Sequence, residues 1–326
     1  MSKFTRRFVY FSFLIIFFFG GWYLSDFFTT DKYDDIEIAK TLRRPLDKYS
    51  IDNLSKTKIE PGNIEIKNNN LFKFTFSPDL GKSTKTTTGQ IRVPSGEGEF
   101  PIIVMLRGYV DQEIYKTGMG TSSAAKVFSE NGFITIAPDF LGYAGSDPED
   151  PDIFEARFQT YVTAVSLLKS LDQIEKWDGE SIFIWGHSNG GQVALTVLEI
   201  TGKDIPTTLW APVTKPFPYS VLYYTDESED RGKFLRSQIA KFEKIYNPDL
   251  YSLDLYLDKI KAPLQIHQGT ADDAVPVDWT NLFTKRLKEL EKDFDYYKYP
   301  GADHNMKPSW DTAVARGLSF FQSYLK

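Results

Sequence analysis

The sequence predicts an α/β fold, in which a mostly parallel sheet carries helices on both of its faces. Short, continuous apolar runs recur along the chain, and helical patterns lie between most of them. A parallel strand that is covered on both faces has this apolar texture. Strands that alternate with helices are typical of a parallel sheet between helical layers. The chain has 326 residues, which suits one large domain with appendages.

The strands are predicted to form an antiparallel edge first and a parallel sheet afterwards. Polar turns separate three short strand-like segments at 63–66, 71–76 and 86–93. The apolar runs predicted as buried strands are 101–106, 133–137, 181–185, 207–211, 264–267 and 294–299. Together they predict a single domain at 62–326.

Two helices have the clearest patterns, with apolar residues three and four positions apart. The first is expected to begin at Asp150 and Pro151, a favourable N-cap and first helical residue. Its apolar face comprises Phe154, Phe158, Tyr161, Val165 and Leu168. The face of the C-terminal helix comprises Trp310, Val314, Leu318, Phe321 and Leu325. The aromatic and charged stretch at 214–260 interrupts the alternation, and it is expected to form either a cap over the site or a surface excursion.

Residues 1–28 are predicted to hold a cytoplasmic tip and a transmembrane anchor. Basic residues precede an apolar, charge-free run at 8–24, whose length of about 17 residues is near the short end of what a membrane-spanning helix needs. A cleaved signal peptide is the alternative, but bulky residues stand where cleavage prefers small ones. Acidic residues follow the run, which predicts a cytoplasmic N-terminus and a main domain on the outer side. Residues 29–61 are expected to form a stalk or linker.

Composition excludes several classes of protein and site. The net charge is -6, which argues against a nucleic-acid-binding surface. The absence of Cys excludes disulfides, thiolate metal sites and a cysteine nucleophile. Since no histidine and carboxylate spacing typical of a metalloenzyme is present either, the sequence predicts neither a metal nor a cofactor. It gives no indication of the oligomeric state.

A Gly-x-Ser-x-Gly motif supplies the candidate nucleophile, Ser188. The motif spans 186–190 and lies between the apolar strand at 181–185 and a helical stretch at 192–200. This strand-turn-helix setting is what the nucleophile elbow of an α/β-hydrolase needs, because the serine occupies a strained turn and the glycines let the backbone pack closely. A glycine-rich turn with a surface serine is the alternative.

The general base should be one of the three histidines in the chain. His187 adjoins the nucleophile, and on so tight a turn its side chain should point away from the Ser188 hydroxyl. His267 lies within or at the end of a predicted strand, where a buried structural role is expected. His304 lies in the loop at 301–305, between the last strand and the last helix, where the histidine of an α/β-hydrolase falls in chain order. His304 is therefore the predicted base.

The remaining catalytic groups are a carboxylate and the donors of an oxyanion hole. Asp272 and Asp273 both follow a predicted strand, and either could instead serve the turn. One of them is needed to hold the tautomer of His304 and to stabilise its imidazolium form. The amide of Asn189 is expected to be one oxyanion donor. Tyr109 is the expected second donor, by its amide or its hydroxyl, with a pocket wall as the alternative role.

From about residue 64 to residue 326 the sequence resembles the catalytic domain of prolyl-oligopeptidase-type serine peptidases. The matching motifs are W-G-H-S-N-G-G at 185–191, H-Q-G-T-A-D-D-A-V-P at 267–276 and A-D-H at 302–304. The segment at 137–146 is of the general hydrolase kind. The segment at 105–109 is similar to the one that places a tyrosine hydroxyl in the oxyanion hole of some members. The resemblance also implies that Asp272 is the acid.

The sequence departs from this family in two places. Arg107 and Gly108 stand where many relatives have a His-Gly pair, and the stretch at 29–61 is too short for the β-propeller that the family's peptidases usually carry. The expected function is that of a membrane-anchored serine hydrolase with Ser188 as nucleophile. The resemblance implies a serine-type peptidase acting on small peptides. A carboxylesterase acting on small esters and a non-catalytic surface binding protein are the alternatives.

Overall fold

The computed structural model describes residues 44–67, 70–81, 83–225 and 230–326. The strands in these ranges are β1 (Asn63–Lys67), β2 (Leu71–Phe76), β3 (Lys85–Arg92), β4 (Phe100–Leu106), β5 (Ile134–Pro138), β6 (Trp177–His187), β7 (Thr207–Trp210), β8 (Leu264–Gly269) and β9 (Phe294–Tyr299). The α-helices are α1 (Ile51–Lys56), α2 (Ser122–Glu130), α3 (Ile153–Leu168), α4 (Asn189–Thr201), α5 (Tyr219–Tyr223), α6 (Lys233–Ile245), α7 (Val277–Glu289) and α8 (Trp310–Ser323).

One sheet joins these strands in the spatial order β1-β2-β3-β5-β4-β6-β7-β8-β9. β1 pairs with β2, β2 with β3 and β3 with β5, all in antiparallel fashion. Every pair from β5 to β9 is parallel. The predicted mostly parallel sheet is confirmed. Because the carboxyl ends of parallel strands share one edge of a sheet, the loops after β4, β6, β8 and β9 meet there.

Helices cover both faces of the sheet, and alternate residues of each strand point to opposite layers. On one side Val104 of β4 joins a core with residues such as Phe158 of α3 and Leu198 of α4. On the other side its neighbour Met105 joins a second core with residues such as Phe321 of α8. Fully burying such side chains contributes roughly 1.5–3 kcal/mol each. The two cores hold β4 and β6 in the middle of the sheet. The candidate nucleophile, Ser188, directly follows β6.

α3 begins later than the sequence predicted. Its cap is Asp152 instead of Asp150, since the Asp152 carboxylate accepts hydrogen bonds from the amides of Phe154 and Glu155 at 2.9 and 3.1 Å. The Asp150 carboxylate accepts from the amide of Asp152 at 2.9 Å. Both acids therefore act in the same turn, and only the second one satisfies the free amides at the start of the helix.

The described part of the predicted stalk packs against the domain. It contains a 3₁₀ helix at Pro45–Tyr49 and then α1. The buried side chains of this part are Leu46, Tyr49, Ile51 and Leu54. The Tyr49 hydroxyl also lies 2.8 Å from Glu155 Oε1 on α3. Residues 44–61 therefore contribute to the core of the domain and do not form a free linker.

The predicted membrane anchor at 1–28 lies outside the described residues, as does the start of the predicted stalk at 29–43. Within the described ranges, no helix has both the length and the apolar character to cross a bilayer. The 16-residue α3, for example, buries its apolar face against the domain.

The stretch at 214–260 forms α5, α6 and short 3₁₀ helices that pack on α3. An aromatic cluster makes this contact, and its members are Phe154, Phe158, Phe217, Phe242 and Tyr251. The hydroxyl of Tyr224 donates to the carbonyl of Ala274 at 3.0 Å, in the loop after β8. The stretch is thus partly core and partly a neighbour of the loop that carries the candidate acid.

Candidate active site

Ser188 lies on a strained turn between β6 and α4. Its φ of 56° and ψ of -122° are rarely adopted by a residue other than glycine. The Ser188 amide donates to the carbonyl of Trp210 at 2.9 Å, and the Ser188 carbonyl accepts from the amide of Val213 at 3.0 Å. These bonds fix the turn to the end of β7. The result is the sharp strand-to-helix turn that a nucleophile elbow requires.

Gly190 explains why the turn needs the second glycine of the motif. A Cβ atom at this position would lie 1.9 Å from the carbonyl oxygen of Leu106 at the end of β4. Such a contact is impossible without a shift of the backbone, so only glycine allows α4 to start this close to the sheet. The glycine that the sequence motif specifies is therefore a packing requirement.

Asp272 and His304 are brought together from the loops after β8 and β9. His304 Nδ1 lies 3.0 Å from each carboxylate oxygen of Asp272. A carboxylate can only accept here, so Nδ1 donates and Nε2 is left free to take a proton. The His304 side chain keeps 18% of its exposure, whereas that of Asp272 has none. This pair has the geometry that holds a catalytic imidazole in one tautomer.

The Asp272 carboxylate is itself fixed by three further donors. Its Oδ1 accepts from the amides of Ala274 and Val275 at 3.0 and 2.8 Å. Its Oδ2 accepts from Gln268 Nε2 at 2.9 Å. Gln268 is fully buried near the end of β8. The sequence analysis did not predict a role for it, although it lies shortly before Asp272 in the chain. Asp273, the alternative acid, is exposed.

His187 contacts the backbone of the candidate base. Its Nε2 lies 3.0 Å from the carbonyl oxygen of His304, and the two ring centroids are 4.7 Å apart. Burial lowers the pKa of His187 to about 4, so the ring is neutral at neutral pH. The expectation that His187 points away from the serine hydroxyl agrees with this contact. Its tie to the His304 loop was not predicted.

No hydrogen bond of 3.5 Å or less joins the Ser188 hydroxyl to His304 among the described residues. In ligand-free enzymes this bond is often long and becomes short only when substrate binds. The strand order brings Ser188 and His304 to the same edge, since both follow strands of the parallel part.

The two expected oxyanion donors belong to segments that adjoin Ser188. The amide of Asn189 is the first of α4, where amides have no partner within the helix. A Cβ atom on Gly108 would lie 2.9 Å from Ser188 Cβ, so the loop after β4 runs directly against the nucleophile. This approach puts the amide of Tyr109, the next residue, beside the serine.

The side chain of Tyr109 points out of the site. It is 73% exposed, and its hydroxyl donates to Asp111 Oδ1 at 2.7 Å. This bond raises the pKa of Tyr109 to about 12, so the hydroxyl keeps its proton at neutral pH. Of the two donors that the sequence left open at this residue, the backbone amide is the one that the local geometry favours.

Arg107 shapes the loop that carries Tyr109. Its guanidinium donates to the carbonyls of Asp139 at 2.6 Å and of Gly108 at 2.9 Å. It also stacks on the ring of Tyr143, with Cζ 3.9 Å from the ring centroid. Arg107, which stands in place of the histidine of the usual His-Gly pair, therefore holds the loop of Tyr109 to the loop after β5.

The remaining polar groups near the sheet edge do not form a second catalytic centre. His267 is buried between Tyr299 and Gln265, with its ring nitrogens 2.7 Å from the hydroxyl and 2.9 Å from the amide oxygen. Burial lowers its pKa to about 3. Within the described ranges, no three His, Asp or Glu residues are grouped so that they could hold a metal.

Known proteins resemble this chain in sequence and in fold. A relative from Bacillus subtilis (strain 168), the uncharacterized peptidase YtmA, is 26% identical over 235 residues, which are 71% of this chain and 86% of that protein. The solved acetyl xylan esterase from Paenibacillus sp. R4 has a TM-score of 0.63 at 17% identity and covers 86% of this chain and 94% of its own. A Mycobacterium tuberculosis puromycin-hydrolyzing peptidase has a TM-score of 0.56 at 18% identity, over 81% of this chain and 39% of its own.

These likenesses show the α/β-hydrolase fold. The model of the prolyl oligopeptidase family matches residues 119–326, which include the elbow, the acid loop and the histidine loop. The chain belongs to the prolyl oligopeptidase family.

Proposed function

We propose that the chain is a serine-type peptidase that acts on small peptides by two-step acyl transfer. The observation that carries the proposal is the Asp272–His304 pair, with Nδ1 3.0 Å from both carboxylate oxygens, at the sheet edge where Ser188 occupies a strained elbow. A buried carboxylate, an oriented imidazole and a serine on a sharp turn are the parts of a nucleophilic triad.

In the first step, His304 Nε2 takes the Ser188 proton while the serine oxygen attacks the carbonyl carbon of the substrate. The carbonyl electrons move to its oxygen, and a tetrahedral intermediate forms. The intermediate then expels the leaving amine, which receives the proton from His304, and an acyl-serine remains. In the second step a water molecule loses its proton to the same histidine and attacks the acyl carbon. The bond to the serine oxygen then breaks, the serine recovers its proton from His304, and the acid is released. Asp272 accepts a hydrogen bond from His304 Nδ1 in both steps and stabilises the imidazolium form.

The oxyanion is stabilised by the amides of Asn189 and Tyr109 in this proposal. Donors that are already aimed at the developing charge act without reorganisation, and the loss of one costs about a hundredfold to a thousandfold in rate. The approach of Gly108 to Ser188 supports the Tyr109 amide as the second donor.

The proposal favours a peptidase over a carboxylesterase because of the family and because of the Bacillus subtilis relative, which is named a peptidase. A carboxylesterase is the second candidate. The lengths of the similar structures favour this candidate. The similarity extends over 94% of the acetyl xylan esterase but over only 39% of the puromycin-hydrolyzing peptidase. Amide and ester hydrolysis share the same triad, so the substrate decides between them.

The test compares kcat/KM on dipeptide anilides and on short-chain nitrophenyl esters, with the full-length protein in a mild detergent. Anilides with proline and with alanine before the scissile bond form the panel, and Ser188→Ala is the blank. Ser188-dependent anilide cleavage supports the peptidase, and ester turnover without it supports the carboxylesterase. A wild-type protein that neither turns over these substrates nor reacts with a fluorophosphonate at Ser188 would instead be a non-catalytic binding protein.

We also propose that the apolar run at 8–24 anchors the protein in a membrane, with the catalytic domain on the outer side. The charge difference across the run supports this orientation. Protease added to intact cells should then digest the domain. Protection in intact cells, with digestion only after lysis, would contradict the orientation, and recovery of the full-length chain in the soluble fraction would contradict the anchor.

A further inference from the structure

A cavity of about 230 Å³ lies beside the proposed oxyanion hole. Tyr109 and Asn189, the two residues whose amides are proposed as oxyanion donors, both line it. Its apolar wall comprises Phe140, Leu141, Tyr143, Ile153, Ala156 and Val193. Because both proposed oxyanion donors line the cavity, a group bound in it would lie next to the scissile carbonyl. A mostly apolar wall with a few polar groups is also typical of ligand sites.

Arg157 brings a positive charge into this cavity from α3. The side chain is partly buried and lines the cavity wall. Its Nη2 donates to Gln192 Oε1 at 2.6 Å, and its Cζ lies 5.8 Å from the ring centroid of Phe217. No carboxylate lies within 4.0 Å of its nitrogen atoms in the described part of the chain. A partly buried cation without a counter-ion is costly, and such a group is retained most readily where it binds an anion.

The other charged groups of the cavity leave this charge available. The Arg107 guanidinium is already held by two backbone carbonyls and stacks on Tyr143. Glu149 is exposed, and its carboxylate accepts a hydrogen bond from Gln112 Nε2 at 3.0 Å. Because solvent screens an exposed charge more strongly than a partly buried one, the charge of Arg157 acts on a bound group more strongly than that of Glu149.

We propose that this cavity binds a carboxylate of the substrate and that Arg157 is the residue that determines this specificity. The inference rests on the proposed function, because it identifies the substrate class of the same site. Guanidinium binds carboxylate through two parallel hydrogen bonds, which makes arginine well suited to the task. The carboxylate belongs either to an acidic side chain in the acyl residue or to the C-terminus of a short leaving residue.

Two substrate pairs distinguish these sources. The first pair is alanyl-glutamyl and alanyl-glutaminyl nitroanilide, which differ only in the charge of the acyl side chain. The second pair is a blocked tripeptide with a free C-terminus and the same tripeptide as its amide. Wild-type kcat/KM should be higher for the charged member of one pair. In Arg157→Met that preference should fall by about tenfold to a hundredfold, the usual effect of losing a charge-assisted hydrogen bond.

Three controls separate recognition from structure. Arg157→Lys keeps the charge and should retain part of the preference. Arg286→Met removes an exposed arginine of α7 and should leave the preference unchanged. Thermal unfolding of each variant shows whether the fold is intact. If Arg157→Met lowers kcat/KM equally for both members of each pair, the inference is overturned. It is also overturned if kcat/KM of wild type is not higher for either charged member.

A binding measurement makes the inference independent of catalysis. Calorimetric titration of the full-length protein with glutaramate, which has one carboxylate and one amide, is compared with titration with the neutral diamide glutaramide. One outcome is that wild type binds glutaramate, Arg157→Met does not, and wild type hydrolyses no substrate. This outcome would support the inference and contradict the proposed function. Ser188-dependent hydrolysis without charge preference, and without Arg157-dependent binding, would do the reverse.

Discussion

His187 Nε2 lies 3.0 Å from the carbonyl oxygen of His304, so the residue before the nucleophile holds the loop of the candidate base. The contact joins positions that are 117 residues apart in the chain. Because burial lowers the pKa of His187 to about 4, its ring is neutral and Nε2 can donate without bringing a second positive charge next to His304. The elbow and the base are therefore positioned against each other by one neutral hydrogen bond.

His187→Phe should lower kcat by about threefold to tenfold, because one neutral hydrogen bond contributes about 0.5–1.5 kcal/mol. KM should change little, since the bond positions His304 and does not touch substrate. His187→Gln keeps a donor and should restore part of the loss. Steady-state kinetics on the best substrate measures both constants. An unchanged kcat in His187→Phe, or a change confined to KM, would contradict this positioning role.

Asp272→Asn should lower kcat by about a thousandfold to ten-thousandfold, the scale seen when a triad carboxylate is replaced by its amide. The amide cannot accept from His304 Nδ1 through both of its terminal atoms, so the imidazole loses its preferred tautomer. Asp273→Asn is the matched control, because Asp273 is the exposed neighbour. Its kcat should stay near that of wild type. Equal effects of the two substitutions would show that the carboxylate next to His304 is not the acid.

The sequence was sufficient for the fold and for the sharp turn at Ser188 because their signals are local. Apolar runs that alternate with helical patterns predicted the parallel sheet. The glycine at 190 indicated a close contact of the turn with another segment, which is the end of β4. The choice of Asp272 over Asp273 needed the family resemblance. Both acids follow the same strand, and only the structure shows which one faces His304.

The groups that support the site could not be predicted, because they act between segments that are distant in the sequence. Gln268 donates to the carboxylate of Asp272 from within a buried strand, and Arg107 fixes the loop of Tyr109 through the carbonyl of Asp139. Neither residue belongs to a motif with a fixed spacing. The start of α3 was misplaced for a related reason, since Asp150 and Asp152 are both suitable caps and only the free amides of the helix distinguish them.

Gly108→Ala should lower kcat by about tenfold or more, since a Cβ atom 2.9 Å from Ser188 Cβ must displace either the serine or the oxyanion loop. Tyr109→Phe should keep kcat within about threefold, because the hydroxyl is bound to Asp111 and the amide remains in place. The comparison of the two kcat values separates the amide from the hydroxyl. A large loss in Tyr109→Phe with normal stability would assign the second donor to the hydroxyl instead.

Glu199 makes the stability of the domain depend on pH. It lies on α4, is 1% exposed, and neither of its carboxylate oxygens has a hydrogen-bond partner among the described residues. Burial raises its pKa well above the ordinary value, and the nearby Asp254 acts in the same direction while Lys259 opposes it. The folded protein therefore holds this proton at pH values where the unfolded chain has already lost it.

The consequence is a loss of stability as pH rises. Below the ordinary pKa of a glutamate, about 4.3, Glu199 is protonated in both the folded and the unfolded state, and its contribution to the free energy of unfolding is complete. Between that value and the raised pKa of the folded state, the free energy of unfolding should fall by up to about 1.4 kcal/mol per pH unit. Glu199→Gln removes the titrating group, so its stability relative to wild type should increase from pH 5 to pH 8.

Urea unfolding of wild type and Glu199→Gln across this pH range measures the difference directly. Glu180→Gln, which replaces an exposed glutamate at the start of β6, is the matched control and should follow the wild-type curve. Parallel curves for wild type and Glu199→Gln would mean that Glu199 ionises in the folded state as it does in the unfolded chain. Because α4 starts at the nucleophile elbow, a wild-type protein that loses stability at alkaline pH should also inactivate faster there, and Glu199→Gln should slow that inactivation.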